Sequence, residues 1–538
     1  QVFHAPSYDI ATAIPGMPGG VFPDDGTLLP FDAESQAPFV GLINPRSGGQ
    51  MGSPIMEVCK RTELYKDNIF HIVEVVKSQK ERGGLLDQFR TKLCEAKQKA
   101  LEKKNDAFRP RLICGGGDGT GSFALMLIFK VLAADNSRED EGLRDKGNGF
   151  IWTDEEMQKY FPALVQMPLG TGNDLAGCLG WGRKYPGFSK CGCCSGGAGR
   201  LKNLQNWFKR ALDVSSPLSN FDVWGFMPPP GEDKMDVKLC DLAMVQSVNG
   251  KNHLKFKHAD VVVPFLVLLY ASYGFGGQMI ARFQLSRTNS QFHNFLQYLK
   301  IGPAIFCASN PQELRYNMDG FSITNVEGAP LEKNGTDQYF PPRKTRAAKK
   351  YAEVGFMNLN SYGGGSVHGA DRTGCCNRWI VCRGKNDRRK PVRYDDGKMD
   401  LFRQRIPATA SKTGTKVQTD KRSGAVFRFT EAKQQGIFMQ YDGEGRFVFH
   451  PDGKDWRMDV HQVLRIPVVL GKQSLRDPDS DPAEFKFIGE PDEVTRIKAR
   501  ITKWVNGELV QELNASTEEI ERAGLLLNVT SNESNAKE

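Results

Sequence analysis

No apolar run in this 538-residue chain approaches the roughly 20 residues needed to span a bilayer. The longest, residues 261–270, is about half that length, contains Pro264 and predicts a buried strand. The 12 cysteines show no repeating zinc-ligand spacing. Cys114, Cys178 and Cys307 sit in apolar contexts and read as small core residues. Cys191, Cys193 and Cys194 fall in a glycine-rich insertion with no partnering His nearby, so the plain reading, no special role, stands ahead of metal binding or acylation. This usage favours a reducing compartment. Strong charge bias is also missing. The net charge of +9, from 72 basic and 63 acidic residues, suits anionic ligands or an anionic membrane surface and does not signal nucleic-acid binding. There is no internal repeat. The chain begins at Gln1 without an apolar leader, which points to a processed or trimmed product lacking its targeting information. Sequons at Asn334, Asn514, Asn528 and Asn532 are no more than chance delivers and do not argue for secretion.

What is present is ordinary globular composition, 39% hydrophobic and 25% charged, at a length that predicts two or three domains. Residues 1–37, rich in Pro, Gly and Asp without periodicity, read as an unstructured lead-in. Residues 39–43 read as a buried strand and residues 69–76 as another. Leu85, Leu86, Phe89, Leu93, Ala96 and Ala100 then recur at helical spacing. Residues 112–114 and 163–167 are further strands, with a charged surface insertion expected over residues 135–160 and a closing helix near residues 201–212. Alternating strands and helices predict a parallel, helix-covered sheet. From about residue 221 short β-type runs dominate, at residues 260–270, 353–358, 379–382, 425–430, 436–441, 446–450 and 463–470. These predict a mainly antiparallel sandwich. Residues 491–527 read as helical, and the last ten or so as disordered.

Three strands run into glycine-bearing turns: Asn44-Pro45-Arg46-Ser47-Gly48-Gly49, Gly115-Gly116-Gly117-Asp118-Gly119-Thr120-Gly121 and Pro168-Leu169-Gly170-Thr171-Gly172-Asn173-Asp174. A strand, a glycine turn and a helix together offer backbone N–H groups to phosphate. Neither common nucleotide motif fits. Gly116 to Gly121 has P-loop glycine spacing, but Ser122 stands where the lysine belongs, and Ser122 also spoils the dinucleotide fingerprint. Asp118 would repel a bare phosphate, so it suggests a magnesium-bound one or a proton to be removed. If the strands are neighbours, the turns converge on one crevice.

These turns resemble the three signatures of the diacylglycerol kinase catalytic region. The third continues as Gly177-Cys178-Leu179-Gly180-Trp181-Gly182, like the eukaryotic form of that family. Phe221 to Trp224, Tyr273 to Met279, Asn360 to Gly365, Asp395 to Asp400 and Gln440 to Glu444 are similar to the family's accessory region, in the family's order. The resemblance covers roughly residues 38–470. Its Gly-Gly-Asp-Gly-Thr piece is shared with sphingosine, ceramide and NAD kinases, whereas Pro-Leu-Gly-Thr-Gly-Asn-Asp followed by Leu-Gly-Trp-Gly is much narrower. Gly177 departs from the family, which usually has a basic residue there, and Tyr273 to Gly277 carries glycines where an acidic position is expected. No cysteine-rich, diacylglycerol-sensing zinc module occurs in these 538 residues; such modules normally precede the catalytic region and are either trimmed away or lacking.

The resemblance implies an NAD kinase/diacylglycerol kinase-like, three-layer α/β ATP-binding domain over residues 38–214. A β-sandwich lipid-substrate domain over residues 215–475 and a helical extension with a tail over residues 476–538 would follow. The implied reaction is transfer from ATP, with magnesium, to membrane diacylglycerol, giving phosphatidic acid. Gly115, Gly116, Gly117, Gly119 and Thr120 would cradle the phosphates. Asn44, Ser47, Gly48, Gly49, Gly170, Thr171, Gly172, Asn173 and Asp174 would complete the crevice. Asp118 would meet the γ-phosphate through magnesium. Asp442, with Glu444 nearby, matches the base of bacterial lipid kinases of this superfamily. The plain alternative for Asp442-Gly443 is a hairpin turn, and the Asp118 and Asp442 roles are reversible by comparison with sphingosine kinases. Peripheral membrane association from the cytoplasmic side is expected. The basic stretches at residues 343–350 and 385–393, with the 491–527 helix, are candidates for the docking face. No nucleic-acid partner is expected, and no protein partner is predictable. The alternatives are a ceramide or sphingosine kinase of the same fold, or an inactive nucleotide- or lipid-binding regulator.

Overall fold

Strands β1 (Phe39–Ile43), β2 (Ile69–His71), β3 (Arg111–Gly116) and β4 (Ala163–Pro168) lie parallel in the spatial order β4-β3-β1-β2 in the computed structural model. The structure describes residues 21–523 apart from 46, 48–50, 134–149, 171, 184–195, 247–251, 259–265, 287–300, 302–317, 326–350, 360, 363–365, 368–392, 406–411, 420, 430–435, 453 and 477–480. β1, β3 and β4 are buried throughout, which is why each reads as a continuous apolar run rather than an alternation. In register, Ile43 faces Gly115 and Gly116 faces Pro168, so all three turns leave the sheet at one edge.

Helix Leu85–Lys103 buries Leu86, Phe89, Leu93, Ala96 and Ala100 on the predicted face. Helix Asp118–Leu132, which grows out of the second glycine turn, is buried on most sides. The C-terminal helix Pro491–Val505 packs against it and adds Ile497, Ile501 and Trp504 to the same core.

A 14-residue strand, Trp456–Val469, joins this sheet to the rest of the chain. It runs parallel to β4 at Val468 opposite Leu164, and antiparallel to Leu218–Met227 and Arg422–Phe429. The result, among the described residues, is a mixed sheet of 10 strands. A second, antiparallel sheet, of 8 strands among the described residues, includes Tyr351–Met357, Tyr270–Gly274, Gly436–Tyr441 and Glu444–Phe449 as successive neighbours. Trp224, Phe321, Phe427 and Trp456 from the first sheet interleave with Tyr273, Phe356 and Met439 from the second. Burying aromatic surface of this kind contributes most of what holds two sheets together.

Several expectations differ from the fold. Only Ile69–His71 of the segment at 69–76 is strand; Ile72–Lys77 is helix, begun where His71 Nδ1 accepts from Glu74 N at 3.3 Å. Ile72 and Val75 are buried there at helical spacing, so packing overrides their β-branched preference. Phe150, Trp152 and Met157 are fully buried, so the end of the expected surface insertion belongs to the core. Thr153 and Glu156 form a capping box that starts helix Asp154–Tyr160 there. Phe22, Leu28 and Ala37 are buried too, so order begins well before residue 38. Residues 1–20, the strand expected at 379–382, Cys191, Cys193, Cys194, Cys307, the C-terminal tail from residue 524 and most of both basic stretches lie outside the described residues.

Candidate active site

The three turns meet, glycine against glycine. A Cβ on Gly170 would lie 2.3 Å from Gly117 Cα, far inside any contact distance, so the third turn touches the second only with glycine at 170, and at Gly117 a Cβ would be tight at 3.3 Å from Gly170 Cα. Ser47 is buried, and its Oγ lies 3.9 Å from the place a Cβ on Gly117 would occupy, which brings in the first turn. Asn44 N donates to Gly115 O at 2.8 Å and Asn44 O accepts from Ser47 N at 3.1 Å, tying that turn to β3. Thr120 closes back on the turn: its N–H donates to Gly117 O at 3.0 Å, and its side chain fills the space over Gly116. Gly48, Gly49 and Thr171 lie outside the described residues.

Asn173 has φ +55° and braces the third turn from within. Its Oδ1 accepts from Gly170 N at 2.8 Å, and its Nδ2 donates to Gly170 O at 2.7 Å and Arg183 O at 2.8 Å. Asp174, fully buried at the start of helix Asp174–Cys178, pairs with Arg183 at 3.6 Å. The same Arg183 covers Gly177, where a Cβ would lie 2.8 Å from Arg183 Cγ. A basic side chain therefore occupies the region where the sequence lacks one at 177.

Asp118 is the first residue of the buried helix. Its Oδ1 accepts from Leu175 N at 3.0 Å, and its Oδ2 lies 2.6 Å from where a Cβ on Gly172 would be. Burial, and then the negative charge of Asp174, push its carboxyl up to about 7. No cluster of three or more metal-ligating side chains occurs among the described residues. Magnesium shared with nucleotide phosphates needs only one or two protein carboxylates, however. Asp118 and Asp174 are close enough for each negative charge to oppose the other, and such an ion would relieve that repulsion, so Asp118 with Asp174 fits the group.

Asp442 comes from the far sheet. It and Gly443 are the two central residues of the hairpin between Gly436–Tyr441 and Glu444–Phe449, with φ +49° and +85°, as a tight hairpin requires. The turn reading and the functional reading of this pair therefore hold together. Asp442 is 1% exposed, and its carboxylate accepts four hydrogen bonds. Leu269 N at 2.8 Å and Tyr270 N at 3.2 Å meet Oδ1; Leu268 N at 2.8 Å and Ser122 Oγ at 2.5 Å meet Oδ2. Burial raises its pKa, and these donors oppose the rise. Ser122 and Asp442 are 320 residues apart in sequence, yet this contact places the hairpin directly over the glycine turn. Asp442 O lies 3.4 Å and Glu444 Oε1 3.6 Å from the position of a Cβ on Gly119. Glu444 Oε2 accepts from Gln284 Nε2 at 2.7 Å.

The predicted residues that are described thus gather at one edge, where β3, β4 and the far hairpin meet. Sequence reading missed four contributors: Ser122, Arg183, the backbone of Leu268 to Tyr270, and Gln166 beneath the glycine turn. Gln166 alone left a signal, as the one polar residue in an apolar strand. A cavity of ≈ 230 Å³ lies elsewhere, between Phe39, Leu64, Ala96 and Phe108, and holds none of the predicted site residues.

Residues 38–195 match the family model of the diacylglycerol kinase catalytic domain. Among curated relatives, Diacylglycerol kinase 7 of Arabidopsis thaliana is 28% identical over 168 residues, 30% of this chain and 28% of that protein. Diacylglycerol kinase 1 of Drosophila melanogaster is 29% identical over 215 residues, 40% of this chain and 13% of that protein. Probable diacylglycerol kinase 3 of Caenorhabditis elegans is 24% identical over 306 residues, 55% of this chain and 29% of that protein. The match to these relatives spans less than a third of their length. The family resemblance read from the glycine turns is thereby borne out over residues 38–195.

Proposed function

We propose that this chain transfers the γ-phosphoryl group of ATP to diacylglycerol, yielding phosphatidic acid for lipid signalling. The observation that carries the reading is the meeting of three phosphate-cradling turns with a carboxylate hairpin from a separate sheet. A soluble nucleotide and a membrane lipid need separate approaches to one reacting centre, and two sheets meeting at one edge offer them. In this layout residues 38–214 hold the nucleotide, residues 215–475 present the lipid, and the C-terminal helices brace both.

Gly115, Gly116, Gly117, Gly119 and Thr120 hold the phosphates, with Asn44, Ser47 to Gly49 and Gly170 to Asp174 around them. Asp118 would hold magnesium, which would offset phosphate charge. Asp442 takes the acceptor's proton. For this the lipid hydroxyl takes the place that Ser122 Oγ holds on Oδ2, Ser122 being the only donor of the four that can rotate away. Glu444 adds a second carboxylate above Gly119. A second reading is favoured by the four donors on Asp442, which fill its lone pairs: Asp118, at about 7, takes the proton, and Asp442 serves as the tie.

Membrane contact is peripheral in this proposal, from the cytoplasmic side. No helix among the described residues is long and apolar enough to cross a membrane. Helix Pro491–Val505 turns its apolar face inward and pairs Lys498 with Asp154, so the basic stretches at 343–350 and 385–393 remain the docking candidates. Labelled ATP with mixed vesicles of diacylglycerol, ceramide or sphingosine tests the function. Product from diacylglycerol alone, falling with added salt, is expected. Product only from ceramide or sphingosine would move the substrate assignment, and ATP binding without turnover of any acceptor would indicate a regulator.

A further inference from the structure

Gln166 lies in the middle of β4, fully buried in an otherwise apolar strand. Its Nε2 donates to Gly116 O at 3.3 Å and to Gly117 O at 3.2 Å. Two acceptors facing one end of the side chain require the amide nitrogen there. The same carbonyls are held from other directions: Gly116 O accepts from Leu169 N at 3.0 Å and Gly170 N at 3.2 Å, and Gly117 O from Thr120 N at 3.0 Å. A trans peptide points its N–H opposite to its C=O. Holding these two carbonyls against β4 therefore turns the N–H groups of Gly117 and Asp118 away from β4, toward the crevice between the turns.

The other end of the side chain makes this a functional choice. Gln166 Oε1 is buried without a hydrogen-bond partner among the described residues, 3.4 Å from the position of a Cβ on Gly121. A buried acceptor left unmet is destabilising, and an apolar side chain of the same length would avoid it. Fold stability alone does not account for glutamine here. We infer that Gln166 is a positioning residue that aims the Gly117 and Asp118 N–H groups at the nucleotide phosphates. It also couples the second turn to the third, since β4 runs straight from Gln166 into Pro168. This inference rests on the ATP reading of the site.

The test uses the whole chain with Gln166→Leu, which keeps the volume and removes the donors, and Gln166→Glu, which turns an acceptor toward the carbonyls. ATP affinity is measured by titration without lipid, KM is measured for ATP and for diacylglycerol separately, and melting temperature is recorded for each protein. Gln166→Leu is expected to melt at or above the parent while binding ATP about tenfold more weakly. Its KM for ATP should rise and its KM for diacylglycerol stay unchanged. Gln166→Glu should bind ATP more weakly still. Unchanged ATP binding by Gln166→Leu overturns the inference, as does a loss of affinity that only follows a fall in melting temperature. If the parent itself binds no ATP, the nucleotide reading fails and this inference with it.

Discussion

Replacing Asp442 by Asn removes one negative charge and one acceptor from a carboxylate that meets four donors. An amide oxygen can still face Leu269 N and Tyr270 N, but its NH₂ must then face Leu268 N–H. Ser122 can rotate to accept; Leu268 N–H cannot. One charge-assisted hydrogen bond is lost, worth roughly 1.5–3 kcal/mol, and a buried N–H is left unmet at roughly 1–3 kcal/mol. A destabilisation of about 3–5 kcal/mol is expected, which is what breaking a buried charged network costs. Denaturant unfolding of the variant measures it. A loss under about 1 kcal/mol would refute the hydrogen-bond argument. If Asp442 is also the base, turnover per folded molecule falls at least about a hundredfold beyond that. Ser122→Ala separates the two proton-acceptor readings. The Ser122 hydrogen bond lowers the Asp442 pKa, so its removal must raise it. With Asp442 as base, the acidic limb of the kcat/KM profile moves to higher pH. With Asp118 as base, the limb stays near 7.

Asp118→Asn should abolish turnover while changing stability in a pH-dependent way. The folded carboxyl stands at about 7, above its ordinary 3.8, so between those values the folded state holds the extra proton and stability falls as pH rises. The variant should therefore be more stable than the parent at pH 8, by roughly 2–4 kcal/mol before solvent screening is discounted, and nearly equal to it at pH 4; thermal melting at both pH values checks this. Arg183→Ala removes the charge opposing Asp174 and should lower ATP-dependent turnover about tenfold or more, with Arg183→Lys retaining most of it; steady-state kinetics at saturating lipid decide, and equal rates for both variants would remove Arg183 from the site.

The parallel sheet was legible because β1, β3 and β4 are buried on both faces and therefore spelled as apolar runs. The turns were legible because a backbone that must approach another backbone selects glycine, as at Gly170 against Gly117. The donors that hold Asp442 were not, since Leu268, Leu269 and Tyr270 contribute through main-chain N–H groups that any residue carries. Nor was Arg183, which reaches back over Gly177 from outside the motif. The helix at Ile72–Lys77 was hidden behind Ile72, Val73, Val75 and Val76, whose strand preference yields to packing. At residues 150–157, charged neighbours masked Phe150, Trp152 and Met157, three residues that the core absorbs.

The strand Trp456–Val469 sets a limit on taking this protein apart. Its last residues lie alongside β4, while its first residues pair with Arg422–Phe429. A fragment ending near residue 214 would carry all three glycine turns yet leave the outer edge of β4 bare. Such an edge is flat, apolar and open to pairing with another copy. The half that carries the three turns is thus a motif without being a detachable module, and a shortened chain has to keep residues 456–469 to cover that edge.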